Sequence, residues 1–295
     1  MIVDLDIDSD VDDVSALAML HTMHNKGQID LLGVIITSDD SSAAFCADVI
    51  NTYYGNPKMP IGILKNQAGV RNHSKYTSKV ASEFPRRHKH LKRMQEARSL
   101  YRRLLANSPD GSVVIVTIGH LTNLQGLLQS PGDRYSRLGG LALVNKKVSK
   151  WICMGGQFPE GKEANFYRPD PASTVYCIDT WTLPVVFAGW EVGEKIITGG
   201  DYLKGIIESS SPVYRAYELY NNFKGRASWD QVAVLLLTKE ADEYFDYIAD
   251  GTCVVAGDGS NKWVKGSSSN HSYIRLKPET NVNVIARFID DMVVK

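Results

Sequence analysis

Two apolar, largely β-branched runs constrain this chain most: Leu31–Thr37 (LLGVIIT) and Ser112–Ile118 (SVVIVTI). Neither alternates with polar residues, so each reads as a strand covered on both faces, the habit of a parallel sheet between two helical layers. The flanking segments fit that order. Ile2–Ile7 reads as a strand and Val14–Asn25 as a helix with Asp12 and Asp13 in its first turn or cap. Ala43–Tyr54 reads as a helix and Pro60–Leu64 as a short strand. Ser82–Leu105 reads as one long charged helix, or as two broken near Pro85. Beyond Ile118, Gly119–Leu128 turns into a helix, Lys150–Met154 leads to a Gly155-Gly156 turn, and Leu183–Phe187 is a further strand. Residues 197–245 look largely helical, residues 250–275 alternate and are rich in Gly and Ser, and Val282–Val294 closes as a helix. The expected fold class is α/β: a single domain over residues 1–295, Rossmann-like, with a mostly parallel central sheet flanked by helices and a small antiparallel excursion near the C-terminus.

Composition narrows the function classes. Lys plus Arg and Asp plus Glu both number 33, so the net charge is zero and no global field draws the chain to nucleic acid or to an anionic membrane. No apolar run approaches the ~20 residues of a membrane helix. The N-terminus, Met1-Ile2-Val3-Asp4, has neither the basic nor the apolar region of a signal peptide, which points to the cytoplasm. Cys46, Cys153, Cys177 and Cys253 are far apart and form no CxxC, so reduced thiols are expected rather than disulfides or a zinc site. The basic run Arg86-Arg-His-Lys-His-Leu-Lys-Arg93 has no interleaved aromatics and reads as a solvated helix face. No phosphate-loop pattern follows Gly155-Gly156, and no nucleophile elbow is present.

The stretch Asp4-Leu-Asp6-Ile-Asp8-Ser-Asp10-Val-Asp12-Asp13 places six carboxylates within ten residues at a strand end. On a strand, Asp4, Asp6 and Asp8 would share a face. Like charges so close raise one another's pKa unless something positive sits among them. A hard divalent cation with oxygen ligands, Ca²⁺ or Mg²⁺, solves that problem. The EF-hand pattern fails: counted from Asp4, Asp6 or Asp8, the sixth residue is Ser9, Val11 or Asp13, never Gly, and the twelfth is Ser15, Leu17 or Met19, never Glu.

Further features agree in order. The acidic strand end runs into the helix Ser15-Ala-Leu-Ala-Met-Leu20, and Gly33-Val-Ile-Ile-Thr37 follows as a second strand. Ile118-Gly-His-Leu-Thr-Asn123 is like a TGxLTN turn. Met154-Gly-Gly156, Glu163-Ala-Asn165 and Asp170-Pro171-Ala172 are like MGG…ExN…DPxA, and Ser228-Trp-Asp230 stands where a late HD or WD pair would. On these residues the chain resembles the nucleoside hydrolases of the inosine-uridine type, over residues 2–233, and Asn51–Gly62 resembles a bacterial hydrolase-like branch of them. The resemblance implies a nucleoside hydrolase-like fold and a Ca²⁺ held by Asp6 or Asp8, by Asp13, by the Ile118 carbonyl and by Asp230. It implies that the ion also binds the ribose 2′- and 3′-hydroxyls and a water, whose proton passes to Asp6 or Asp8. That water attacks the anomeric carbon through an oxocarbenium-like transition state. Asp12 would bind a ribose hydroxyl, and Glu163 and Asn165 would hold the sugar's 3′ and 5′ side. The implied partner is a small nucleoside or riboside, with no nucleic acid and no membrane, and the implied assembly is a homodimer or homotetramer.

Three departures bear on chemistry. Aligned on Asp12-Asp13, the base is Asp8; aligned on the strand start, it is Asp6. Asp40 stands where many members carry Asn, and an ionised Asp only accepts hydrogen bonds. Trp229 stands where pyrimidine-tolerant members carry a His that protonates the leaving base. Trp has no such proton, but in purine-preferring members it stacks on the base, which is worth ~1–3 kcal/mol per base in nucleic-acid sites. His73, Tyr76 and His120 remain as candidate leaving-group donors. The expected activity is therefore Ca²⁺-dependent hydrolysis of a ribonucleoside, purine favoured, to free base and ribose. The alternatives are a hydrolase of another ribosyl compound and a catalytically drifted metal- and sugar-binding member.

Overall fold

The computed structural model describes residues 1–38, 40–65, 74–266 and 270–294. Along the chain run β1 (Ile2–Leu5), β2 (Gly33–Ile36), β3 (Ile61–Ile63), β4 (Gln95–Glu96), β5 (Val113–Ile118), β6 (Val148–Met154) and β7 (Glu160–Gly161). There follow β8 (Val185–Ala188), β9 (Ile197–Thr198), β10 (Arg226–Ala227), β11 (Phe245–Ile248), β12 (Gly251–Val255), β13 (Asn261–Lys265) and β14 (His271–Leu276). Nine of them form one sheet in the order β11-β14-β8-β6-β5-β1-β2-β3-β4. Every pairing in it is parallel except β11 with β14.

The apolar runs are buried on both faces, as a doubly covered sheet requires. Val3 and Leu5 join one core with Leu17, Met19 and Leu20 of the helix Asp12–Asn25. Ile2, Ile35 and Ile115 join the other with Leu100 and Tyr101 of the helix Ala97–Ala106. The chain leaves β1 toward β2, β3 and β4 on one side, and returns through β5 and β6 on the other. In an open α/β sheet that reversal opens a crevice beyond the strands' carboxyl ends, here those of β1 and β5.

Three expectations are corrected. Ser82–Leu105 is not one helix, nor two broken near Pro85. A helix ends at Glu83, Phe84 adopts the extended backbone that a following proline imposes, and the next α-helix begins only at Ala97. The basic run is therefore no helix face: its only helical turn is the 3₁₀ segment Leu91–Arg93, Arg86 lies over the Phe45 ring, and His88 bonds Asp48. The antiparallel excursion is real but narrower than residues 250–275. β12, β13 and β7 form it, while β14 returns to the main sheet parallel to β8. The region 197–245 holds four short α-helices, but it also contains the antiparallel pair β9–β10. Among the described residues no helix is long and apolar enough to cross a membrane.

Candidate active site

β1 ends at Leu5, and Ile7 takes a left-handed backbone with φ of 45°. A β-branched residue there is strained by ~1–3 kcal/mol, and it ends the alternation of the strand. Asp4 therefore parts company with the other carboxylates. It follows Ile2 onto the second core's side, where it accepts hydrogen bonds from Tyr101 Oη at 2.8 Å and Asn123 Nδ2 at 3.3 Å. Burial still pushes its carboxyl up to about 8. The expectation that Asp4, Asp6 and Asp8 share a face fails for Asp4.

Asp6, Asp8, Asp10, Asp12 and Asp13 line a cavity of about 850 Å³ at the carboxyl ends of β1 and β5. Ile118, His120, Met154, Glu163, Asn165, Trp229 and Asp230 line it too. The approach of β5 to β1 is close: a Cβ on Gly119 would lie 2.8 Å from the Asp6 nitrogen and 2.8 Å from Thr37 Oγ1.

Asp12 and Asp13 sit in the first turn of the helix Asp12–Asn25, and Asp230 in the first turn of Trp229–Leu235. The two helices pack so that Asp12 Oδ2 accepts the Asp230 N–H at 3.2 Å. One oxygen from each of Asp12, Asp13 and Asp230 lies within 4.8 Å of the others, the only such group among the described residues. All three are buried, and burial with mutual repulsion drives their carboxyls well above the ordinary range. Asp13 Oδ1 is buried without a hydrogen-bond partner. Hard anionic oxygens that converge without a proton or cation between them match the donor set of a hard divalent cation. The sequence reading assigned Asp12 to the sugar; the structure groups it with Asp13 and Asp230, because its carboxylate reaches across to the Asp230 backbone.

Asp6 shares a side-chain hydrogen bond with Asp13, and burial beside Asp8 raises its pKa. Asp8 accepts from Ser38 Oγ at 3.1 Å. Glu163 caps the short helix Ala164–Tyr167, taking the Asn165 N–H at 2.8 Å and the Gly156 N–H at 3.1 Å. Burial pushes its carboxyl up to about 7. Trp229 forms part of the wall, with its Nε1 donating to the Trp190 carbonyl at 3.0 Å.

Arg226 escaped the sequence reading. Its Nε lies 2.9 Å from both Asp10 oxygens, and its guanidinium stands 4.8 Å from the Trp229 ring centroid. Only the β9–β10 pair, itself unforeseen, brings it to the wall. Trp190, Gln157, Lys162, Tyr167 and Arg168 line the cavity as well, with no motif to announce them.

Several expected residues stand elsewhere. Asp40 is not among the lining residues; it caps the helix Ser41–Tyr53 through Ser42 N–H and accepts from Thr77 Oγ1 at 2.9 Å. Its oxygens serve the fold rather than a sugar. Tyr76 is fully buried, with its hydroxyl donating to the Asp10 carbonyl at 2.5 Å, which removes it as a leaving-group donor. His73 lies outside the described residues. His120 lines the cavity, but burial lowers its pKa to about 4, against the favourable Asp170 charge and Thr37 carbonyl.

Comparisons with known proteins agree with this geometry. No curated protein matches the chain in sequence. Among solved structures, a plant nucleoside hydrolase superposes with a TM-score of 0.75 at 16% identity, covering 99% of this chain and 98% of that one. The purine-preferring ribonucleoside hydrolase from Gardnerella vaginalis gives 0.71 at 14% identity, covering 99% of each chain. The type III effector XopQ, solved with adenosine diphosphate ribose, gives 0.65 at 15% identity, covering 99% and 93%. The sequence model of the inosine-uridine preferring nucleoside hydrolases matches residues 1–295. With a sheet, a crevice and an acidic cluster of this kind, the chain belongs to that family of glycosidase-type hydrolases, enzymes acting on the N-glycosidic bond of ribonucleosides.

Proposed function

We propose that this enzyme hydrolyses ribonucleosides to free base and ribose, prefers purines, and uses Ca²⁺. The convergence of Asp12, Asp13 and Asp230 in one cavity with Asp6, Glu163 and Asn165 carries the reading. Asp12, Asp13 and Asp230 would hold the ion, with the Ile118 carbonyl and Asp6 or Asp8 beside them. When bound, such a cation acidifies water and anchors neighbouring hydroxyls.

The chain's own groups supply the rest. Asp6 is the base: its raised affinity for protons suits it to take one from the attacking water, and its bond to Asp13 keeps it beside the cluster. The C1′–N bond breaks with its electron pair leaving on the base nitrogen, which takes up a proton, while the water oxygen bonds C1′. Glu163, pinned by two backbone N–H groups, gives the sugar a fixed acceptor. The surrounding carboxylates favour positive charge developing on the sugar ring. Trp190 and Trp229 offer apolar, aromatic wall to a purine.

A second reading rests on Lys162, Arg168 and Arg226, which line the same cavity and favour a ribosyl compound with an anionic extension. Release of reducing sugar from inosine, adenosine, guanosine, uridine, cytidine, AMP and ADP-ribose, with and without chelator, separates the two. Chelator-sensitive release from the purine nucleosides is expected. Release confined to the phosphorylated compounds would favour the second reading, and no release from any of them would reject both.

A further inference from the structure

The His120 ring is 5% exposed in the turn after β5 and lines the cavity. Its Nδ1 lies 3.0 Å from Thr122 Oγ1, and Thr122 Oγ1 lies 3.2 Å from Asp170 Oδ2. Asp170 is held in place as the cap of the helix Pro171–Thr180, with its other oxygen on the Ser173 N–H at 3.3 Å. A carboxylate only accepts, so the Thr122 hydroxyl donates to Asp170. The Thr122 oxygen then accepts, and the proton it accepts is on Nδ1. Direction along this chain sets the tautomer. A neutral imidazole with Nδ1–H carries a lone pair on Nε2, and His120 Nε2 is buried with no hydrogen-bond partner.

Nothing on the protein answers that lone pair. The Thr37 carbonyl nearby is itself an acceptor. The cavity's carboxylates, Asp6, Asp8 and Asp13 among them, are acceptors when ionised. Nε2 is not part of the oxygen group of Asp12, Asp13 and Asp230, so a cation held there does not account for it. Buried acceptors in native sites have donors, and the donors that enter this cavity come with the substrate.

We propose that His120 Nε2 accepts a hydrogen bond from a hydroxyl of the bound sugar, which makes His120 a specificity-determining residue. This assigns His120 the reverse of a leaving-group donor's role, and Thr122 and Asp170 become positioning residues. The inference rests on the proposed riboside chemistry for its ligand, but the tautomer does not depend on it.

Two measurements test it. Nitrogen-15 spectra of histidine-labelled protein at neutral pH, with His120 assigned through the His120→Phe variant, should show Nδ1 protonated and Nε2 bare. A protonated Nε2 overturns the proposal whatever the substrate. The second compares wild type, His120→Phe and Thr122→Val on adenosine and its 2′-, 3′- and 5′-deoxy analogues. Loss of one good hydrogen bond should lower kcat/KM roughly tenfold to a hundredfold for adenosine in His120→Phe. For the one analogue that lacks the contacted hydroxyl, the same change should have almost no effect. Thr122→Val should give an intermediate loss with the same analogue spared. Equal loss on all four substrates would show a contact to the base or a structural role, and would sink the proposal. If wild type cleaves none of the four, the proposed function fails separately. Calorimetric binding of ribose and its deoxy forms to wild type and His120→Phe then decides the hydroxyl contact.

Discussion

Replacing Asp230 by asparagine removes one charge from three buried carboxylates whose oxygens approach within 4.8 Å. At that distance and an effective dielectric of ~20, each ionised pair repels by about 3.5 kcal/mol. Asp230 faces both Asp12 and Asp13, whose charges are prominent in raising its pKa. Proton uptake relieves part of the repulsion, and the new amide must find partners, so a net gain of about 2 kcal/mol is expected for the cation-free variant. For a chain of this size that is roughly 4–8 °C in Tm. Calcium reverses the order. An ion at a hundred times its Kd stabilises wild type by about 2.7 kcal/mol, and Asp230→Asn loses a ligand and most of that increment. Thermal melts of both proteins at one pH, in chelator and in excess Ca²⁺, are the assay. The variant should melt higher in chelator and lower in calcium. If it melts lower in both, the cluster is held by hydrogen bonds rather than strained by charge, and the cation argument fails. If wild type does not respond to calcium, the ion assignment fails while the charge argument stands.

Other consequences are independent of that cluster's charge. Gly119→Ala would push a methyl into the Asp6 nitrogen and Thr37 Oγ1 and shift the β1 end; kcat should fall at least tenfold while the protein still folds, and an unchanged kcat would refute the close approach as a catalytic constraint. Trp229→Ala should raise KM for purine nucleosides about tenfold and for pyrimidine nucleosides far less, so a uniform rise would remove the stacking role. Asp290, buried and bonded to the Gly199 N–H at 3.1 Å, has its carboxyl pushed up to about 7 by burial. Its folded pKa lies above the unfolded one, so its contribution is complete below about pH 4 and is lost as pH rises through 7, up to about 4 kcal/mol. Denaturant unfolding across pH 4–8 should show that fall in wild type and a flatter profile in Asp290→Asn; parallel profiles would assign the slope to other groups.

Periodicity made the sheet legible because a doubly covered strand must be apolar throughout, whatever surrounds it. Leu31–Thr37 and Ser112–Ile118 therefore announced β2 and β5 to within two residues. The stretch before Ala97 misled because local helix propensity says nothing of Phe84-Pro85, where the chain turns extended, or of Asp48, which captures His88 from a different helix. Within the site, motif residues at strand ends and helix starts were legible for the same local reason. Asp6, Asp8, Asp13, Glu163, Asn165, Trp229 and Asp230 all reach the cavity.

What escaped depends on contacts between distant segments. Asp40 carries the right chemistry, yet its oxygens go to Ser42 and Thr77, an outcome set by how the helices Ser41–Tyr53 and Thr77–Glu83 meet. Arg226 carries no motif and enters only because β10 pairs with β9 and aims it at Asp10, 216 residues away. The same logic governs His120. Sequence marked it as a histidine near a motif, and hence as a proton donor. Thr122 and Asp170 reverse that role, because the direction of hydrogen bonding along three side chains leaves the lone pair, and not the proton, facing the cavity.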